Sequence, residues 1–206
     1  MNRVKTADTS SRDRLLDTAL ALFASRGYAA TSTGEIQKAC GMSPGSGALY
    51  RHFRSKSDVL RAALRRGLDR MRTSPAWRHA TTPAERLDAL ASVAAAAQQT
   101  ITDNADLVRL ILLEPDAAPD VVEELWVRNL AIAHQIMGQA LRASAYEAGS
   151  EIDDPEAISA VLLAALSYMP VMEVLLGRAP GDMDPGRFRD AWLRLSRSVF
   201  THGVPD

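Results

Sequence analysis

The chain has 206 residues, a length that suits one ordinary domain or a small module joined to a larger one. Its formal net charge is −1. Its single cysteine, Cys40, excludes an intramolecular disulfide scaffold and favours a reducing compartment. Residues 1–72 carry 14 Lys and Arg against 6 Asp and Glu, a net +8, whereas the remainder carries 10 against 19, a net −9. This asymmetry favours a polyanion as the partner of the N-terminal third, although basic faces are often simply solvated.

The first 14 residues are polar and charged and carry no signal-peptide pattern, so we expect a cytoplasmic location. One apolar stretch, residues 157–176, approaches the length of a membrane span. It is interrupted by polar residues and a proline, at Ser159, Ser167, Tyr168, Pro170 and Glu173. We therefore expect no membrane segment.

Helical spacing of apolar residues dominates the chain, so the predicted fold class is all-α, with about nine helices. A first helix is predicted from Ser10 or Ser11 to Gly27. A capping box of Ser32 and Glu35 starts a second, which ends before Gly41. A third helix carries Ala48, Leu49, Tyr50 and Phe53, and a fourth, capped by Ser55 and Asp58, runs toward Arg72. The first helix buries one face, made of Leu16, Ala19, Leu20 and Phe23.

Five more helices are predicted beyond residue 72 from capping signals and apolar spacing. They run from Thr82-Pro83 to about Ile101, from about Leu107 to Leu113, from about Asp120 to Tyr146, from Pro155 to about Gly177, and from Pro185 onward. The helix from Pro155 is apolar nearly all round, which in a soluble protein requires burial on more than one side. Two domains are predicted: three short helices with a connector helix at 10–72, and a helical domain at 73–203.

The segment from Thr33 to Lys56 reads TGEIQKACGMSPGSGALYRHFRSK. It resembles the DNA-binding region of the tetracycline-repressor (TetR) family at Thr33, Ile36, Cys40, Gly41, Met42, Ser43, Gly47, Leu49, Tyr50, His52, Phe53, Ser55 and Lys56. In this pattern Gly41 permits the turn between the two helices. The side chains expected to bury these helices against the first are Ile36, Cys40, Met42, Leu49 and Phe53.

The segment also departs from the family pattern. Ser43 to Tyr50 spans seven positions where the family has five, so two residues are extra at the tip that would enter the major groove. Base-reading roles therefore cannot be carried over residue by residue, whereas Tyr50, His52 and Lys56 follow the insertion and transfer. Gln37 replaces the usual small residue after the isoleucine. The predicted DNA contacts, to phosphates or base edges, are Thr33, Ser43, Pro44, Ser46, Gly47, Tyr50, Arg51, His52 and Lys56.

The resemblance implies that residues 10–72 form a three-helix helix-turn-helix DNA-binding domain with its connector helix. It also implies that the C-terminal domain dimerises through its last two helices and encloses a pocket for a small-molecule effector. The predicted dimer contacts are Val161, Leu162, Ala165, Met169, Met172, Phe188, Trp192 and Leu195, with the internal core of a monomer as the alternative. The predicted pocket residues are Gln98, Trp126, Asn129, His134, Met137 and Tyr168, each of which also suits an ordinary core or surface role. The dimer would be released from DNA if the effector moved the connector helix and so moved the two DNA-binding domains apart.

The expected function is that of a transcriptional regulator, by family tendency a repressor, that binds a near-palindromic double-stranded operator as a homodimer and is released by an effector of unknown identity. An activator is the alternative, because the sequence does not tell where the operator lies. An enzyme is disfavoured, since the sequence has no metal-ligand cluster and no phosphate loop, and no catalytic residue, metal or cofactor is expected. A helical adaptor for a different protein is disfavoured by the basic N-terminal segment.

Overall fold

The computed structural model describes residues 3–43, 47, 49–72, 83–125, 127, 130–149 and 151–202. Within those ranges it contains nine α-helices and no strand, which confirms the predicted all-α class. Three short 3-10 turns lie between helices, at Leu49–Arg51, Pro115–Ala117 and Pro180–Asp182. The α-helices are α1 (Arg3–Arg26), α2 (Thr33–Ala39), α3 (Lys56–Arg72), α4 (Pro83–Asp103), α5 (Ala105–Leu113), α6 (Pro119–Leu125), α7 (Ala131–Glu147), α8 (Pro155–Leu176) and α9 (Pro185–His202).

The chain divides into two compact units that are not continuous in sequence. Unit 1 comprises Met1–Met71 together with Asn104–Glu124, and unit 2 comprises Arg72–Asp103 together with Leu125–Asp206. The segment predicted to bind DNA, up to Met71, therefore shares its compact unit with α5 and nearly all of α6. The chain enters and leaves the segment Asn104–Glu124 from unit 2.

The core of unit 1 is built from the apolar faces of α1, α3 and α5. The face predicted for α1 is buried in full, and α1 ends at Gly27, whose φ of +86° lies in the left-handed region that favours glycine. On α5, Leu107 packs close to Gly67 of α3. The buried side chains of these helices are Leu15, Leu16, Ala19, Leu20, Phe23, Val59, Leu60, Ala63, Leu64, Leu68, Leu107, Leu110 and Ile111.

Three predicted elements differ from the structure. Helix α1 begins at Arg3 instead of Ser10 or Ser11, since residues 3–9 contain no glycine or proline and the serines do not interrupt the helix. The helix predicted over 120–146 is interrupted, because α6 ends at Leu125, α7 begins at Ala131, and Val127 and Leu130 lie in π-helical turns. Where a third helix is predicted, the described residues form one 3-10 turn, Leu49–Arg51.

Unit 2 packs α8 against α4, α7 and α9. Its core cluster consists of Leu90, Ala94, Met137, Leu141, Leu162, Leu166, Trp192 and Phe200. Two hydrogen bonds join neighbouring helices there: the Trp192 indole N–H donates to the Leu162 carbonyl at 2.8 Å, and the Ser159 hydroxyl donates to the His134 carbonyl at 3.0 Å. Of the helices in the described chain, α8 is long and apolar enough to cross a membrane by length and composition.

Candidate nucleic-acid interface

Helix α2 begins with the predicted capping box. The Glu35 N–H donates to the Ser32 hydroxyl at 3.2 Å, and the Ser32 N–H donates to the Glu35 carboxylate at 2.8 Å. The Ser32 N–H and hydroxyl both donate to the Glu35 carboxylate and, with the nearby Arg26 guanidinium, hold the pKa of this carboxyl below its usual value. The start of α2 is therefore fixed, and Thr33 is its first residue.

The turn after α2 follows the predicted use of glycine. Gly41 has a φ of +72°, and Met42 donates its N–H to the Gln37 carbonyl at 2.8 Å. Ser43 is exposed, whereas Pro44, Ser46 and Ala48 lie outside the described residues. Of the residues expected to bury this region, Ile36, Leu49 and Phe53 are buried and Cys40 and Met42 are half-buried. The buried Gln37 joins them, so its polar chain takes the place of a small residue inside the unit.

A 3-10 turn carries the residues that follow the insertion. His52 donates its N–H to the Leu49 carbonyl at 3.0 Å, the spacing of a 3-10 turn. Gly47 precedes it with a φ of +68°, which no residue of a right-handed helix adopts. The predicted third helix therefore cannot extend through Gly47. The described residues after Gly47 form the 3-10 turn Leu49–Arg51.

Tyr50 and Thr33 form the polar pair at the centre of this surface. Tyr50 is 56% exposed although it is a large aromatic residue, and its hydroxyl lies 3.3 Å from the Thr33 hydroxyl. The pair joins the first residue of α2 to the 3-10 turn, so two hydroxyl groups are presented together. Neutral hydroxyls of this kind donate readily to phosphate oxygens.

Several exposed basic side chains of unit 1 lie near Thr33 or Tyr50 in the sequence or pack beside residues that follow Tyr50. Arg51 follows Tyr50 directly, and Lys38 lies in the last turn of α2. Arg12 and Arg54 are also exposed, and the Arg12 guanidinium carbon lies 5.3 Å from the centre of the Phe53 ring. Sequence reasoning missed Arg12, Lys38 and Arg54. The helical position of Lys38, opposite the buried Ile36, was the available signal.

Lys56, predicted to contact phosphate, has another role in the structure. Its ammonium group donates to the carbonyls of Tyr28 at 2.8 Å, Thr31 at 2.9 Å and Ala29 at 3.4 Å. It also lies 4.3 Å from the centre of the Tyr28 ring. An ammonium has three N–H donors, and these three carbonyls engage all of them. Lys56 thus ties the turn after α1 to the start of α3, and its phosphate contact stays a prediction. His52 is half-buried beside the Phe53 ring.

Four arginines of α3 are paired with acids of unit 1. Arg66 contacts Asp13 and Asp17, and Arg70 contacts Asp17, on α1. On α6, Asp120 accepts from Arg61 at 2.9 Å and from Arg65 at 2.8 Å, and Arg65 also reaches Glu124. The Arg61 guanidinium, with Arg65 nearby, holds the pKa of Asp120 below its ordinary value. Part of the positive charge of the first 72 residues is thus neutralised within the unit.

The predicted dimer contacts fall into two groups. Leu162, Met169 and Trp192 are buried inside unit 2, as the alternative of an internal core expects, and their dimer contact stays a prediction. Val161 on α8 and Leu195 on α9 are 67% and 66% exposed. Ala165, Met172 and Phe188 are half-buried. Periodicity alone did not separate the two groups, because α8 is apolar on every side.

The predicted pocket residues lie on three helices of unit 2. Gln98 on α4 and His134 on α7 are half-buried, Met137 on α7 is part of the core cluster, and Tyr168 on α8 is exposed. Trp126 and Asn129 lie outside the described residues. The pocket itself stays a prediction. In the described portion of the chain no group of three or more His, Cys, Asp or Glu residues is arranged to bind a metal ion.

Comparison with known proteins links unit 1 to bacterial regulators. Residues 15–63 match the family of bacterial regulatory proteins, tetR family. The chain is 44% identical over 57 residues to the transcriptional regulator AcrR of Shigella flexneri, and 40% identical over 83 residues to the transcriptional repressor KstR2 of Mycolicibacterium smegmatis. These matches cover 28% and 39% of this chain, and only 26% and 40% of those relatives. The relatives are transcriptional regulators and not enzymes.

The fold is similar to solved structures along nearly the whole chain. A TetR-like regulator from Rhodococcus sp. RHA1 aligns with a TM-score of 0.69 at 18% identity, over 93% of this chain and 96% of that one. The ketosteroid regulator KstR2 of Mycobacterium tuberculosis aligns with a TM-score of 0.60 at 20% identity, over 95% of both chains. At these identities the likeness establishes the fold.

Proposed function

We propose that this chain, which belongs to the TetR family of bacterial regulatory proteins through residues 15–63, is a DNA-binding transcriptional regulator. The observation that carries the proposal is the exposed Thr33–Tyr50 hydroxyl pair, with the exposed cation Arg51 beside it, at the start of a capped helix. Hydroxyls and arginines contact phosphates and fix a protein's orientation on the duplex. The exposed Ser43, ahead of the inserted residues, is suited to reach a base edge.

We further propose that the chain acts as a homodimer. Helix α8 packs against its own unit on one side and exposes Val161 and Leu176 on another, while α9 exposes Leu195. Large apolar side chains exposed on two neighbouring helices are typical of an interface. A second copy of the chain would cover them and would present two DNA-binding units to a near-palindromic operator.

Repression and release by an effector complete the proposal. The matched KstR2 protein is named a repressor, and we extend that action to this chain. A small, largely apolar effector would bind among α4, α7 and α8, near Gln98, His134 and Tyr168, with Trp126 and Asn129 as further candidates. Binding there lowers operator affinity only if the effector favours a conformation that binds DNA poorly. These events would take place in the cytoplasm.

The proposal is tested by selecting binding sites from random double-stranded DNA with the purified full chain. We expect one enriched near-palindrome whose half-site centres lie about one helical turn of DNA apart or a multiple of it, bound with two chains or a multiple of two. Affinity for the selected site should exceed that for a scrambled duplex by about a thousandfold or more. Enrichment of no sequence over several rounds would contradict the proposal.

A further inference from the structure

Glu114, at the end of α5, binds a backbone group 86 positions earlier in the chain. The Tyr28 N–H, directly after the C-terminal glycine of α1, donates to both carboxylate oxygens, at 2.9 and 3.0 Å. Glu114 is itself fixed, since its N–H donates to the Leu110 carbonyl and its carbonyl accepts from the Ala117 N–H. The carboxylate therefore ties the turn after α1 to α5, and both lie in unit 1.

The same turn is bound on its other side by Lys56. The Lys56 ammonium accepts no hydrogen bond and donates to the Tyr28 and Thr31 carbonyls, while the Thr31 hydroxyl donates to the Gly27 carbonyl at 2.9 Å. A carboxylate on the N–H of Tyr28 and an ammonium on its carbonyl thus fix the turn from opposite ends of one residue. Charge-assisted hydrogen bonds of this type are stronger than neutral ones.

The position of this turn sets the position of α2. Ser32, the N-cap of α2, follows Thr31 directly, and Thr33 is the residue that pairs with Tyr50. A shift of the turn would therefore move the hydroxyl pair relative to α1 and α3. Only four residues, 28–31, separate Gly27 from Ser32. So short a connection transmits a shift of the turn to Ser32, because few backbone dihedral angles are available to compensate for it.

The location of the Glu114 carboxylate is unfavourable for α1 as an isolated helix. The C-terminus of a helix carries partial negative charge, and a carboxylate there is destabilising on that ground alone. Glu114 is also close enough to Gly27 that a Cβ at that position would lie 2.9 Å from its Oε1. Helix electrostatics therefore does not explain the contact, whereas fixing the turn does.

We propose that Glu114 is a positioning residue for DNA recognition, which acts through the turn at 28–31 on the Thr33–Tyr50 pair. This inference rests on the proposed DNA-binding function.

The test compares Glu114→Ala and Glu114→Gln with Asp116→Ala in the full chain. Asp116 is exposed and lies two residues away, so its loss changes the net charge equally. Removal of a negative charge by itself strengthens binding to DNA, whereas loss of positioning weakens it, so the two effects have opposite signs. We expect Glu114→Ala to bind the selected operator about tenfold more weakly than Asp116→Ala does, with equal non-specific binding and salt dependence in the two variants.

A second measurement, on the free protein, is amide hydrogen exchange at Tyr28. It should be faster in Glu114→Ala by about tenfold or more, and intermediate in Glu114→Gln, which keeps one acceptor oxygen. If Glu114→Ala does not fold, the comparison of Glu114→Gln with Asp116→Ala decides, with a loss of about threefold expected for the glutamine.

The outcomes separate the two proposals. If the wild-type chain binds no DNA sequence-selectively, the proposed function fails. If the wild type binds its operator and the Glu114 variants bind it as well as Asp116→Ala does, the inference about Glu114 is wrong and the function stands. Equal losses of specific and non-specific binding would also overturn the inference, because they indicate general destabilisation.

Discussion

Tyr50 and Lys56 lie six positions apart in one motif, yet their polar groups face different partners. The Tyr50 hydroxyl is exposed next to Thr33, and the Lys56 ammonium is engaged by three backbone carbonyls. A residue of this motif can therefore matter for DNA binding either by contacting DNA or by shaping the surface that does. Substitution of a residue that contacts DNA lowers affinity, whereas substitution of a residue that shapes the surface lowers the stability of the fold first.

Removal of the Lys56 ammonium should destabilise the fold. In Lys56→Met the apolar stem remains, but the carbonyls of Tyr28 and Thr31 lose their donor, at a cost of about 2 kcal/mol in the free energy of unfolding. The exposed Lys38 offers a matched control, for which Lys38→Met should change stability by less than about 0.5 kcal/mol. Urea unfolding monitored by circular dichroism measures both. A Lys56→Met variant as stable as Lys38→Met would contradict the assigned role.

At the scale of residues, sequence reasoning identified Thr33, Tyr50 and Arg51 as candidate contacts, and the structure leaves Tyr50 and Arg51 exposed. It did not predict the carbonyl contacts of Lys56, because these carbonyls lie 25 to 28 positions earlier and are brought near only by folding. The same holds for Glu114, whose partner is 86 positions away. Local patterns predict caps and exposed faces, whereas such long-range pairs require the tertiary structure.

Two glycines that end helices differ in what surrounds them. Gly27 and Gly41 both have positive φ, but a Cβ at Gly27 would lie 2.9 Å from Glu114, and a Cβ at Gly41 would meet nothing within 4 Å. Gly41→Ala should cost about 1 kcal/mol from backbone strain alone, and Gly27→Ala about 2–3 kcal/mol, since the carboxylate must also move. Urea unfolding of both variants compares them. Equal costs would show that Glu114 moves aside freely.

The ion pairs between α3 and α6 predict a pH dependence. Because the pKa of Asp120 is lowered in the folded chain, its stabilisation is fully present above the ordinary carboxyl pKa of about 4 and is lost as the pH falls below it. Asp120→Asn should therefore lower Tm by about 1–3 °C at pH 7 and by less at pH 3, since the pair is largely exposed. Thermal unfolding at both pH values, with Asp116→Asn as control, measures this. A difference between wild type and variant that grows on acidification would contradict the assignment.

At the scale of elements, capping signals predicted most helix ends, including Ser32, Gly27, Asp154 and Gly177. The start of α1 was predicted too late because serines also occur inside helices. The break between α6 and α7 was missed because apolar spacing continues across it. The seven-position spacing before Tyr50 indicated an unusual recognition element. It did not predict that Gly47 would adopt a positive φ or that a 3-10 turn would follow at Leu49–Arg51.

At the scale of the whole molecule, the exposed apolar residues of α8 and α9 predict self-association. Replacing Val161 and Leu195 with glutamate places charges at the centre of the proposed interface, where they would be buried without partners. We expect the variant to be a monomer at micromolar concentration while wild type is a dimer. Tyr146→Glu, at an 86% exposed position on α7, is the matched control and should leave the mass unchanged.

Light scattering after size-exclusion chromatography measures the masses. A wild-type chain that is monomeric at the same concentration would remove the dimer from the account. A double variant that stays dimeric would place the interface on another face. The sequence predicted that α8 needs burial on two sides, but the division between core and exposed face became visible only in the structure, as Leu162 and Val161 illustrate.

The most direct test of the central claim, sequence-selective DNA binding through unit 1, is a fluorescence-anisotropy titration of wild type and Tyr50→Phe against the selected operator and a scrambled duplex, with Tyr146→Phe as control. We expect Tyr50→Phe to lose about tenfold or more in operator affinity, because its ring stays and only the hydroxyl that we propose binds phosphate is removed. Tyr146→Phe should match wild type. Equal wild-type affinity for both duplexes, or a Tyr50→Phe variant indistinguishable from Tyr146→Phe, would contradict the account.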